Sequence, residues 1–393
     1  MRWRKGVDVG NRRDKKHGSK RVDRDGTLLS DDALPAVDAL RDIPAFADLP
    51  VDDGQRSAFD AFAVAAERPD ELRLGCVVRL DRGFPLVVTE TGTFRAEHAV
   101  AFAKRRGADS ETPVLPAVGD RVAVRRDEAH DMGIIEEVLP RRTTFERGRG
   151  RARGERQVLA ANIDAVLVVQ ALGSGRDDHV LLDRIARSLV LAADCGAAPA
   201  VVLTKADRCA EGELSEVLAR VASLTGPDVR VVVTSSAEGL GIDEVRALVP
   251  AGTCAMILGE SGAGKSTLLN ALLGHEALAT GAVRARDDAG RHTTVARVMV
   301  KLPGDAGVVC DAPGLRSLPL IGHEQGLARV FPDVIEAARS CRFGDCTHTH
   351  EPGCGVREAV ESGRIAASRA DAFLALAREM RVSAQSLDPD IHL

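Results

Sequence analysis

A glycine-rich phosphate loop placed late in the chain, behind the residues that would read its base, constrains the fold more than any other feature. Gly259-Glu260-Ser261-Gly262-Ala263-Gly264-Lys265-Ser266 fits G-x-x-x-x-G-K-[ST], and Thr204-Lys205-Ala206-Asp207, which is similar to the guanine-reading N-K-x-D pattern, precedes it. Nucleotide-hydrolysing domains of this kind ordinarily begin with the phosphate loop. The inverted order predicts a circularly permuted α/β domain whose new ends attach to different neighbours.

The surrounding strands agree with that reading. Ala165-Val166-Leu167-Val168-Val169 reads as a buried strand, and 179–193 has helical spacing, with Leu182, Ile185, Ala186, Leu189 and Val190 on one face. Ala200-Val201-Val202-Leu203 runs into the Thr204 motif, and Arg230-Val231-Val232-Val233-Thr234 into Ser235-Ser236-Ala237. Cys254-Ala255-Met256-Ile257-Leu258 leads into the phosphate loop, and Val308-Val309-Cys310 ends at Asp311. Alternating strands and helices predict a mostly parallel, doubly wound sheet, which binds ligands at the carboxyl ends of its strands, where every motif falls.

Each motif carries a defined chemistry. The N–H groups of Gly262, Ala263, Gly264, Lys265 and Ser266, with Gly259, Glu260, Ser261 and Thr267 around them, would surround a β-phosphate at a helix N-terminus. Lys265 would reach the β- and γ-phosphates, and the Ser266 hydroxyl would bind Mg²⁺. Asp311-Ala312-Pro313-Gly314 fits the D-x-x-G switch: Asp311 would hold a water on Mg²⁺, and the Gly314 N–H would meet the γ-phosphate. An ABC-type ATPase would need a Glu after that Asp and an L-S-G-G-Q signature, and the sequence has neither. Asp207 can accept from guanine N1–H and N2–H₂, whereas adenine would leave its charge unpaired. Lys205 would lie over the purine, the Ala237 N–H would address O6, and Ser236 would brace that loop. Gly290-Arg291-His292-Thr293-Thr294 lies where a first switch belongs. Thr294 is favoured over Thr293 as the threonine that closes on Mg²⁺. The residue after D-x-x-G is Leu315, which cannot orient water, so His292 is the candidate for that role.

A second constellation lies near the C-terminus. Cys341, Cys346, His348 and Cys354 have the spacing C-x4-C-x-H-x5-C, which suits a closed tetrahedral Zn²⁺ site with a structural role; His350 is the alternative ligand. Eight cysteines in 393 residues are too sparse for a disulfide scaffold, so these thiols point to a reducing compartment, the cytoplasm. No apolar run is long enough to span a bilayer, and the basic start lacks the apolar segment of a secretory signal.

The rest of the chain divides by composition. Residues 1–70 read as an extension, with a basic run through Arg12, Arg13, Lys15, Lys16, Lys20 and Arg21 and then an Asp-rich stretch; most of it is expected to be disordered. Residues 71–140 hold short β-type runs between Gly, Pro and Asp, which suit a five-stranded OB-type barrel. Aromatics there are only Phe84, Phe94 and Phe102, so RNA contact would run through phosphates; a purely structural barrel stays open. Residues 141–160 read as a linker rich in Arg and Gly that either neutralises phosphates or is simply solvated. The α/β domain takes 161–325, and 326–393 forms the zinc-binding domain with helices. The formal net charge of −5 leaves any nucleic-acid contact to local patches.

Taken together, these residues resemble the RsgA (YjeQ) family of circularly permuted, ribosome small-subunit-dependent GTPases. The resemblance runs from about Leu72 to Met380 and rests on Ala161-Asn162-Ile163-Asp164, T-K-x-D, the serine loop, G-x-S-G-x-G-K-S, G-R-H-T-T, D-x-P-G and the cysteine-rich segment. It implies an OB barrel, a permuted GTPase and a zinc domain. It further implies a monomer away from membranes, partnered by the small subunit and its rRNA, whose slow GTP hydrolysis the subunit stimulates late in subunit maturation. Thr204 stands where the family has Asn, which is expected to loosen the brace between base loop and phosphate loop. Val295 replaces a common third threonine and narrows the Mg²⁺ choice to Thr293 or Thr294.

Overall fold

The computed structural model describes residues 40–387 apart from 82–83, 100–114, 127–131, 149–155, 174–177, 278–296, 312–319 and 321, together with 21–22, 28–29 and 37. The chain forms two units, Met1–Leu40 and Arg41–Leu393. In the first, Arg21–Val22 pairs antiparallel with Leu28–Leu29.

The second unit starts well before residue 71, so the disorder expected over most of 1–70 does not extend over 41–70. Helix α1 (Asp53–Ala65) begins at a capping box: the Gln55 N–H donates to Asp52 Oδ1 at 2.7 Å, and the Asp52 N–H to Gln55 Oε1 at 3.4 Å. Asp-x-x-Gln ahead of an apolar run is a helix-start signal that the charge of this stretch masks. Gln55 is fully buried, and its amide donates to the Pro140 carbonyl and to Asn162 Oδ1, both at 3.0 Å.

The barrel comprises β1 (Leu72–Asp81), β2 (Phe84–Thr89), β3 (Gly92–His98), β4 (Arg121–Arg125) and β5 (Gly133–Val138) in the order β1-β2-β3-β5-β4, closed by β4 on β1. This is the five-stranded barrel expected from the short runs. Val77, Val87, Phe94, Ala96, Val122, Val124 and Ile135 fill it. The stretch read as a linker instead forms a hairpin of β6 (Thr144–Gly148) and β7 (Arg156–Ala161), with 149–155 outside the described residues. Its flanking arginines are already occupied. Arg141 makes a bidentate contact with the fully buried Asp120, at 2.7 and 2.6 Å, and Arg142 pairs with Asp52 and Asp164. Counting arginines as free cations overlooked the carboxylates that the fold brings to them.

The α/β domain has β8 (Ala165–Ala171), β9 (Ala198–Thr204), β10 (Arg230–Val233), β11 (Cys254–Leu258), β12 (Arg297–Lys301) and β13 (Val308–Asp311) in the order β10-β9-β8-β11-β13-β12. All neighbours are parallel except β12, which is antiparallel to β13 and pairs on its other edge with barrel strand β1 at Arg297 and Val298. The phosphate-loop strand β11 comes fourth in sequence and sits in the middle of the sheet, as a permuted domain requires. Helices α2 (Asp178–Asp194), α3 (Glu211–Thr225), α4 (Ile242–Ala247) and α5 (Lys265–Leu273) cover the sheet, with Leu268, Leu269 and Leu272 of α5 packed on Val169, Ile257 and Val309. Buried Cys76, Cys254 and Cys310 have their thiols pushed up by desolvation and act as small apolar side chains.

Helices α6 (Glu324–Val330), α7 (Pro332–Ala338), α8 (Gly355–Glu361) and α9 (Ala367–Leu387) follow. They dock on α2 and α3. His323 Nδ1 and the Gly326 N–H meet the Asp194 carboxylate at 2.7 and 3.0 Å, and Arg187 pairs with Glu379 at 2.6 Å. Buried Arg369 joins Asp333, the Val330 and Leu224 carbonyls and the face of Phe331. Among the described residues no helix is long and apolar enough to cross a membrane.

Asn162, fully buried and left-handed at φ 56, joins these parts: its Oδ1 accepts from Gln55 and from the Arg142 N–H, and its Nδ2 donates to the Gly119 carbonyl. Asn162→Ala should therefore remove three hydrogen bonds from this junction and lower the unfolding free energy by about 3 kcal/mol. Denaturant titration measures this, and a loss below ~1 kcal/mol would show that those groups find other partners.

Candidate nucleotide site and thiol cluster

The phosphate loop leaves the middle strand β11 at Leu258. Gly259 has no room for a side chain, because a Cβ would lie 2.3 Å from the Val169 carbonyl. Gly264 takes φ 90, turning the chain into α5 so that the first helical N–H groups face the loop. Lys265 Nζ is held inside it by the Gly259 and Glu260 carbonyls, each at 2.7 Å, and Glu260 pairs with Arg184 of α2 at 2.9 Å. Ser266 is half-buried in the first turn of α5, with Ser261 and Thr267 exposed beside it.

The Thr204 motif comes off β9, on the far side of β8. Thr204 Oγ1 donates to the Ala263 carbonyl at 2.6 Å, and Lys205 Nζ to the Gly262 carbonyl at 2.6 Å. The threonine thus ties base loop to phosphate loop with its hydroxyl, where a looser brace was expected. Lys205 is left-handed at φ 63, which starts the short turn carrying Asp207. Asp207 Oδ1 accepts from the Ser235 hydroxyl at 2.9 Å. Ser235 is fully buried, and the turn after it is closed by Ser235–Leu240 backbone bonds at 3.1 and 3.0 Å; Ser236 and Ala237 stand on that turn. Sequence reasoning chose Ser236 as the bracing residue and missed Ser235. Ser235 is the second residue beyond β10 and, like Thr234 before it, is fully buried.

Asp311 ends β13 in register with Ile257, two residues ahead of Gly259, and is buried. The structure therefore gathers 204–207, 235–237, 259–267 and Asp311 at one end of the sheet. His292, Thr293, Thr294 and Gly314 lie outside the described residues.

The second cluster is built by the loop between α7 and α8. The ligand atoms of Cys341, Cys346, His348 and Cys354 all lie within 4.8 Å of one another. Cys341 Sγ is 4.0 Å from Cys354 Sγ, and His348 Nδ1 is 3.4 and 3.5 Å from these two sulfurs. A tetrahedron with bonds of about 2.3 Å to sulfur and about 2.0 Å to nitrogen has edges of roughly 3.5–3.8 Å. The donor set therefore fits a metal ion. His348 turns inward through a left-handed φ of 63, whereas His350 Nδ1 lies against Thr349 Oγ1 at 2.9 Å. Burial pulls the His348 imidazole below its ordinary value and keeps it neutral, the form that ligates. Burial raises the Cys341 thiol, but hydrogen bonds from the Gly355 and Val356 N–H groups and from Cys346 and Cys354 together hold it net lower.

Comparison with known proteins bears on the same residues. The family model described as RsgA GTPase matches 138–321. The chain is 41% identical over 332 residues to "Small ribosomal subunit biogenesis GTPase RsgA" of Streptomyces coelicolor, covering 84% of both chains. It is 40% identical to the protein of the same name in Opitutus terrae, covering 86% of this chain and 90% of that one. Among solved structures, YjeQ from Thermotoga maritima superposes with a TM-score of 0.58 at 27% identity, over 79% of this chain and 98% of that one. The circularly permuted GTPase YloQ, at 24% identity and a TM-score of 0.55 over 79% and 96%, shares the fold.

If Ser235 holds the Asp207 carboxylate, Ser235→Ala should weaken guanine-nucleotide binding about tenfold, the effect of one hydrogen bond to a charged group. Ser236→Ala should change it less than about twofold. Nucleotide titration of both variants decides, and the opposite ranking would return the brace to Ser236.

Proposed function

The chain belongs to the RsgA GTPase family, and we propose that it binds the small ribosomal subunit and its rRNA and acts in late subunit maturation, hydrolysing GTP to GDP and phosphate with stimulation by the subunit. One observation carries the nucleotide part of this reading: the Thr204 motif and the phosphate loop, distant in sequence, are joined by the Thr204–Ala263 and Lys205–Gly262 hydrogen bonds. The partner follows from the relatives, whose names assign them to small-subunit biogenesis.

In this reading Asp207 accepts from both guanine donors and rejects adenine. Lys205 covers the purine, and the Ala237 N–H addresses O6. On GTP binding, Lys265 exchanges the Gly259 and Glu260 carbonyls for phosphate oxygens, and the N–H groups of 262–266 take the β-phosphate. Ser266, Asp311 and Thr294 or Thr293 would hold Mg²⁺, whose charge would offset that developing on the leaving phosphate. His292 orients the attacking water, and the Gly314 N–H meets the γ-phosphate. Cys341, Cys346, His348 and Cys354 would hold one structural Zn²⁺. The protein acts in the cytoplasm as a monomer.

Turnover of GTP by the full chain, with and without purified small subunits, tests the whole. Stimulation is expected, and Lys265→Ala should abolish it by removing phosphate charge compensation. Asp207→Asn should raise the Kd for GTP while narrowing the gap to other purines. Equal turnover with and without subunits would overturn the assigned partner.

Cys346→Ser should lower bound zinc from about one equivalent toward none and unfold 341–354, because metal binding there is folding energy. Metal analysis of the purified variant reads this directly, and near-stoichiometric zinc would remove Cys346 from the ligand set.

A further inference from the structure

Segment 41–49 lies against the nucleotide-binding domain. The Lys301 N–H, at the end of β12, donates to the Asp42 carbonyl at 2.8 Å. The Asp42 carboxylate meets His275 Nε2 at 2.9 Å, and the Asp48 carboxylate lies 3.4 Å from Lys301 Nζ. Barrel strand β1 pairs with β12 at Arg297 and Val298, and Asp42 takes over further along the strand. The segment then anchors on the barrel, with Leu49 buried and the Pro50 carbonyl accepting from Arg121 Nε at 3.0 Å.

Asp42 holds a left-handed backbone at φ 57. For a residue other than glycine this is uncommon and persists where the surroundings over-determine it. Here a backbone acceptor and a carboxylate are both used, on two different elements. His275 follows α5, whose first turn carries Lys265 and Ser266. Lys301 ends β12, whose Val298 stands opposite Asp311. In the sequence, His292, Thr293 and Thr294 lie between His275 and β12.

We propose that Asp42 is a positioning residue for GTP hydrolysis, tying the phosphate-loop helix α5 to strand β12. The proposal rests on the GTPase reading above. The tie sets the spacing between the element that carries Ser266 and the strand pair that carries Asp311, the two sides of the Mg²⁺ site. It reaches neither base-reading loop, 204–207 nor 235–237. Its loss therefore affects turnover and the Mg²⁺ requirement, and leaves GDP affinity in place. Misplacement of about 1 Å at a reacting centre can cost up to ~100-fold, and a tie acting at a distance should cost at least about fivefold in kcat.

The test uses the full chain and compares the parent with Asp42→Ala, Asp42→Asn and His275→Ala in subunit-stimulated turnover, Mg²⁺ titration, GDP binding and thermal melting. Asp42→Ala should lower kcat at least about fivefold and raise the Mg²⁺ concentration for half-maximal rate, with GDP affinity within about twofold of the parent. Asp42→Asn, which tolerates the left-handed backbone and keeps an acceptor for His275, should stay within about twofold of parental kcat. The double variant Asp42→Ala/His275→Ala should be no worse than Asp42→Ala alone. Should Asp42→Ala fail to fold, Asp42→Gly removes the carboxylate and keeps the backbone conformation, and the same readouts apply. Parental kcat in Asp42→Ala or Asp42→Gly, with an active parent, overturns the tie alone. Turnover, GDP affinity and melting temperature falling together also overturn it, in favour of a plain folding role. A parent that does not hydrolyse GTP overturns the reading beneath the proposal and the proposal with it.

Discussion

The parallel ladder through β9, β8 and β11 is the constraint on which the nucleotide site depends. Val168 stands opposite Val201 on one side and Leu258 on the other, so β11 ends at Leu258 while β8 and β9 continue paired to Ala171 and Thr204. In that register the loops beyond β9 and β11 reach across the end of β8 to touch. Side chains alternate faces along a strand, so a slip of one residue would turn Thr204 away from Ala263 and break the brace. The sheet is nearly continuous in apolar residues because both faces are covered, and that burial fixes the register.

Permutation moves the covalent joints of the domain and leaves its geometry alone. The sheet keeps β11 at its centre, while the new N-terminal joint leads from hairpin β6–β7 and barrel into β8, and the new C-terminal joint leads from β13 into helices α6 to α9. Both attachments are reinforced by contacts that chain connectivity does not supply. On one side β1 pairs with β12, and Asn162 gathers α1, the barrel turn at Gly119 and the start of the hairpin. On the other, helix α2 carries Arg184 to Glu260 of the phosphate loop and, one turn later, Arg187 to Glu379 of α9. A single helix thus touches both the loop that would hold phosphate and the C-terminal helices.

Charge placement repeats one physical theme. Arg121 and Asp120 are fully buried, yet each is met by groups that the fold brings from elsewhere: the Pro50 and Gly119 carbonyls for the guanidinium, Arg141 for the carboxylate. A buried charge without such partners would cost several kcal/mol. For this reason the arginines at the edge of 141–156 belong partly to the architecture, and Arg141 and Arg142 are committed to carboxylates. The thiol cluster is the local counterpart, made within one loop by Cys341, Cys346, His348 and Cys354.

The sequence by itself determined the elements whose signals are local. Continuous apolar strands, the phosphate loop with helix α5, the Thr204 motif, the barrel's short strands and the cysteine spacing could all be read because each depends on residues a few positions apart. Their order along the chain was enough to imply the permutation. Tertiary structure alone decided what depends on partners far apart in sequence. It folded 41–70 onto the barrel and the nucleotide-binding domain, made a hairpin of 141–160 and added the antiparallel edge strand β12. It also put Ser235 on Asp207 and gave the Thr204 hydroxyl to Ala263. The physical reason is the same in each case. A charged or polar residue shows in the sequence only what it can bond, and the long-range packing of the sheet and barrel chooses which partner it meets.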